Sequence, residues 1–65
     1  MTKFQEFYAN VRIGDAQAVR NAIESHVSQP TFLNWKRGSF EPDSRWWPTL
    51  NEIAVQFGYD KPYTL

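Results

Sequence analysis

His26 is the only imidazole in this 65-residue chain, and the candidate nucleophiles near it are Ser25 and Ser28. Covalent catalysis needs a hydroxyl or thiol activated by an adjacent base. Here the carboxylates of Asp15, Glu24 and Glu52 are scattered along the chain as surface charges are. Ser28 opens a helical pattern, where its hydroxyl is suited to capping. With no cysteine and one histidine, a zinc site lacks a ligand set. No glycine-rich phosphate loop is present. An enzyme is therefore not the expected class, and nothing in the sequence calls for a cofactor or a small-molecule ligand.

The residues whose chemistry remains unaccounted for lie in "VSQPTFLNWKRGSF", Val27 to Phe40. Ser28 caps a helix here, Pro30 falls in its first turn where a missing N–H is not needed, and Gly38 stops it. Val27 before the cap and Phe32 after it form a hydrophobic staple. Phe32 and Trp35 share one face and should enter the core. Gln29, Pro30, Thr31, Leu33 and Asn34 then fall on faces the core does not use. The free N–H groups at this helix start favour an anion such as phosphate. Between Ser25 and Phe40 there are two basic residues, Lys36 and Arg37, and no acid.

The elements that must position this stretch are helical. Thr2 with Gln5 has capping-box spacing, and Phe4, Phe7, Tyr8 and Val11 follow the period of one buried helix face. Gly14 is expected at or just past the end of that helix. Asp15 is expected to cap a second helix, with Ala16, Val19, Ala22 and Ile23 as its apolar stripe. Ser25 and His26 fall in a turn, and so short a connection forces the flanking helices to cross steeply. "SFEPDSRWWP" reads as a loop with a single turn at 43–46. Trp47 precedes a proline and is disfavoured in the helical region. Of the adjacent Trp46 and Trp47, one is expected over the core and the other toward a partner. Pro48 starts a last helix that buries Leu50, Ile53, Ala54 and Phe57 and closes at Gly58. Residues 59–65 read as a tail, and residues 1–65 as one domain.

Composition sets limits on class. A chain this short buries only about 60% of the surface its unfolded form exposes. Five Phe, three Trp and three Tyr are the means of building a core without disulfides. Seven basic residues balance seven acidic ones, which counts against binding nucleic acid by bulk charge alone. The polar start of the chain is unlike a signal peptide, and no apolar run approaches the ~20 residues of a membrane span. No membrane partner is expected, and the sequence reads as soluble and cytoplasmic.

"AIESHVSQPTFLNWKRG", Ala22 to Gly38, resembles the helix-turn-helix of the Cro and phage-repressor family. The matching positions are Ala22, Val27, Ser28, the polar run Gln29 to Thr31, Phe32, Trp35 and Gly38. Pro42 and "IAVQFGY", Ile53 to Tyr59, match the segments that follow. The resemblance spans roughly residues 15 to 60. It implies an all-α, lambda-repressor-like domain of four to five helices with an embedded helix-turn-helix. It also implies a transcriptional regulator of phage or mobile-element type that binds double-stranded DNA sequence-specifically through a recognition helix at about 28–37. Gln29, Pro30, Thr31, Leu33 and Asn34 would then meet base edges, with Gln29 suited to adenine N6 and N7 and Pro30 and Leu33 to a thymine methyl. Ser28, Lys36, Arg37 and Arg45 would hold phosphates.

Regulators of this kind often bind as dimers. A homodimer of this chain would have to use its loop or tail aromatics. The sequence also departs from the family pattern. His26 stands where Gly is frequent, Ser25 where an apolar residue is usual before the turn, and Ala18 where a glutamine begins the first motif helix. "DSRWW" lengthens the connection before the last helix, and the family's basic bias is absent. The alternative expectation is a helix-turn-helix scaffold that binds protein and not DNA.

Overall fold

The hydroxyl of Thr2 accepts from the Gln5 amide at 3.1 Å, and the Gln5 side chain accepts from the Thr2 amide at 3.0 Å. This reciprocal capping box begins the first helix where its spacing predicts. The computed structural model describes residues 1–64. Helix α1 is Lys3–Ala9, α2 is Ile13–Glu24, α3 is Gln29–Arg37 and α4 is Trp47–Gln56, with a 3-10 turn at Ser44–Trp46. The fold is all-helical, with no strand among the described residues.

Gly14 and Asp15 do not divide α1 from α2 as their residue types suggest. Arg12, in extended backbone, is the N-cap of α2, and Gly14 lies inside its first turn. Tertiary contacts explain the earlier start. The Arg12 amide donates to the Tyr59 hydroxyl at 2.9 Å, and the Arg12 guanidinium donates to Asp15 at 3.0 Å. Asp15, in place of capping, accepts from the Tyr59 hydroxyl at 2.7 Å. Its charge in the first turn also suits the helix dipole. These donors, Tyr59 first and Arg12 second, hold the Asp15 carboxyl below its usual range.

The core is built on aromatic edges. Phe4, Val19, Ile23 and Phe32 are almost fully buried. The Phe4 ring meets Phe32 edge-on at 6.0 Å and Trp35 at 5.6 Å, and it lies parallel to Tyr8 at 6.1 Å. Such pairs add about 0.5–1.5 kcal/mol each beyond the area they bury. Through them α1 packs on α3, while α2 packs on α3 and on the Leu50, Ile53 and Ala54 face of α4.

Trp47 is helical although a proline follows it. It is the first residue of α4, at φ −59° and ψ −45°, and Pro48 takes a first-turn position that needs no N–H. Its indole N–H donates to the Pro42 carbonyl at 3.0 Å, and its ring stacks on Tyr63 at 5.1 Å. These contacts override the local preference. Trp46 packs against the core as well, edge-on to Trp35 at 6.2 Å. Both tryptophans are half-buried and pack against the core.

The segment after Gly58 folds back. Tyr63 is buried, and its backbone exchanges two hydrogen bonds with the Asn51 side chain, at 2.9 and 2.7 Å. The radius of gyration is 10.6 Å, close to the roughly 10.7 Å of a compact domain of this length. Leu65, the last residue of the expected tail, lies outside the described residues.

Candidate functional site

Helix α3 has one buried face and one open face. Phe32 is fully buried and Trp35 is nearly so. Gln29 and Pro30 are exposed, and Thr31, Leu33 and Asn34 are half-buried. The i, i+3 spacing of Phe32 and Trp35 leaves the N-terminal half of the helix free on the other side. Leu33 is not a lone apolar residue in solvent, because it packs on the rim of the core.

Ser28 occupies the N-cap position of α3, but its side chain makes no capping bond. Its hydroxyl instead lies 2.9 Å from the Thr31 hydroxyl. The first-turn amides of Gln29 and Thr31 are thus left without a side-chain acceptor, and Pro30 has no N–H to offer. Gly38 ends the helix in the left-handed conformation, at φ 80°. The Gln5 side chain reaches the Lys36 carbonyl at 3.4 Å, so α1 helps to close the C-terminal end of α3.

The cations differ in their freedom. Lys36 is exposed, with its ammonium 5.8 Å from the centre of the Tyr8 ring. Arg37 is exposed and folds back along the helix, donating to the Leu33 carbonyl and to Asn34 Oδ1 at 3.4 Å each. Arg45 lies over the Trp46 ring at 5.6 Å and 3.7 Å from Asp43, with both charged side chains largely in solvent. Such an exposed pair contributes little, so Arg45 remains available to another anion.

A shallow groove of about 340 Å³ runs between α3 and the loop that follows it. Thr31, Asn34 and Trp35 form one side, and Phe40, Asp43, Arg45 and Trp46 form the other. Phe40 is 62% exposed. Sequence reading overlooked it as one apolar residue in a polar loop, without a partner at helical spacing. The sequence-predicted residues Thr31, Asn34 and Arg45 meet at this groove. Gln29 and Pro30 lie at the start of α3, outside the groove lining, and Lys36 leans toward α1.

The two turn residues that break the family pattern are both exposed. The Ser25 hydroxyl donates to the Ala22 carbonyl at 2.6 Å, and the His26 amide donates to the Ile23 carbonyl at 3.0 Å. Ile23, two residues earlier than Ser25, supplies the buried apolar side chain. Among the described residues no three His, Asp or Glu side chains converge, and no helix is long and apolar enough to cross a membrane.

No family model, curated protein or solved structure matches this chain.

Proposed function

We propose that this chain is a sequence-specific binder of double-stranded DNA, a transcriptional regulator of phage or mobile-element type. In this reading α2, the turn Ser25–Ser28 and α3 form a helix-turn-helix, and α3 enters the major groove. The open N-terminal half of α3 carries the proposal. It presents Gln29, Pro30 and Thr31 in an uncapped first turn, with Asn34 one turn further on, while Phe32 and Trp35 anchor the helix from beneath. Gln29 has the donor and acceptor needed for adenine. In this reading Lys36 and Arg45, with Ser28 at the helix start, meet phosphates.

A second reading rests on one observation. Phe40, 62% exposed at the edge of the α3 groove, suits a protein contact better than a phosphate backbone. The zero net charge agrees with it.

An amide NMR titration with mixed-sequence duplex DNA separates the two. Shifts centred on residues 29–37 that fade as salt rises support groove docking, because releasing counterions makes phosphate contacts salt-dependent. Absence of shifts at low salt overturns the DNA reading and directs attention to a protein partner at Phe40.

A further inference from the structure

The side chains of Asn34 and Arg37 meet on the open side of α3. A guanidinium can only donate hydrogen bonds. The Asn34 atom facing Arg37 Nη2 at 3.4 Å is therefore the amide oxygen. The same guanidinium donates through Nε to the Leu33 carbonyl, also at 3.4 Å, which aligns it along the helix. The Asn34 Nδ2 group has no protein acceptor among the described residues and keeps both of its donors. Arg37 retains N–H groups beyond the two that bond to Asn34 and Leu33. Together the two side chains offer several donors, and their one side-chain acceptor lies against a positive charge.

This arrangement has a consequence for base choice. Asparagine alone reads adenine by giving an N–H to N7 and accepting from the N6 amino group. With Oδ1 turned to Arg37, the accepting half of that pattern is disfavoured. Guanine presents two acceptors in the major groove, N7 and O6, and no donor. We infer that Asn34 and Arg37 act as one donor-only unit that selects guanine over adenine at the base facing the second turn of α3. In this inference Arg37 is a specificity-determining residue, not a phosphate anchor. It rests on the DNA-binding reading above.

The test is site selection from randomised duplexes at low salt, so that losing one cation does not abolish binding. The native chain, Asn34→Ala and Arg37→Leu are compared. Both residues lie outside the buried core, and amide spectra verify that each variant is folded. The position read by Asn34 is the one whose preference disappears in N34A. At that position the native chain should prefer guanine over adenine by about tenfold or more. R37L frees the amide oxygen and should move the preference to adenine while the other positions keep theirs.

If the native chain enriches no sequence, the DNA reading itself fails. If it enriches a site but the Asn34 position is adenine, or if guanine persists in R37L, the donor-only unit is overturned and the DNA reading stands.

Discussion

The Tyr63 hydroxyl donates to the Glu41 carboxylate at 2.6 Å, and the other oxygen of that carboxylate accepts the Lys3 amide at 3.2 Å. One side chain thus joins the start of α1, the loop after α3 and the C-terminal segment. Burial first, and the neighbouring carboxylate second, push the Tyr63 phenol well above its ordinary pKa. A folded-state value above the unfolded one, near 10, contributes stability that is complete below about pH 10 and declines as pH rises further. Tyr63→Phe is expected to cost about 1–2 kcal/mol at neutral pH by urea unfolding. It should also lessen the alkaline loss of stability. An unchanged midpoint at neutral pH would count against the contact.

The glycines of α2 and α3 should respond in opposite directions. A Cβ at Gly14 meets nothing within 4 Å, and the residue is helical. Gly14→Ala should therefore stabilise by about 0.5–1 kcal/mol. Gly38 has φ 80°, and a Cβ there would lie 2.5 Å from the Gln5 side chain. Gly38→Ala should cost roughly 1–3 kcal/mol, because strained backbone is added to the displacement of Gln5. Thermal unfolding of the two variants measures both, and equal shifts would refute the distinction.

Asp15 governs part of the acid response. Its carboxyl is held below the usual range by the Tyr59 hydroxyl and then by Arg12. The resulting stability is present above the unfolded pKa, about 3.9, and is lost as pH falls through the lower folded value. Asp15→Asn is expected to flatten the stability profile below about pH 4. A profile as steep as the native one, measured by denaturation at several pH values, would remove Asp15 from this role.

If α3 docks in the groove, Lys36→Ala and Arg45→Ala should each reduce the slope of log affinity against log salt by about 1. Arg37→Leu should change it less, because its guanidinium is turned along the helix toward Asn34. Fluorescence anisotropy on a selected site reads these slopes. A native slope near zero would argue against phosphate contacts altogether.

Much of the helical framework was legible in residue types. The Thr2 and Gln5 capping box, the stop at Gly38 and the Leu50, Ile53 and Ala54 stripe all depend on neighbours within a few residues. Local periodicity and capping chemistry report such interactions directly. The open face of α3 followed by subtraction once Phe32 and Trp35 were assigned to the core.

Tertiary structure decided the rest. The start of α2 moved from Asp15 to Arg12 because Tyr59, far along the chain, engages both residues. Trp47 became helical because Tyr63 and Pro42 hold its indole. The tail folded back because Asn51 and Glu41 bond Tyr63. The pairing of Arg37 with Asn34 is near in sequence but is one of several rotamers open to a long side chain. Spacing alone does not choose among those rotamers. By itself the sequence determined where helices form and which face each buries, since those depend on short-range sterics and hydrophobic period. Only the packed chain determined where they begin and which polar groups meet, since partners distant in sequence set those energies.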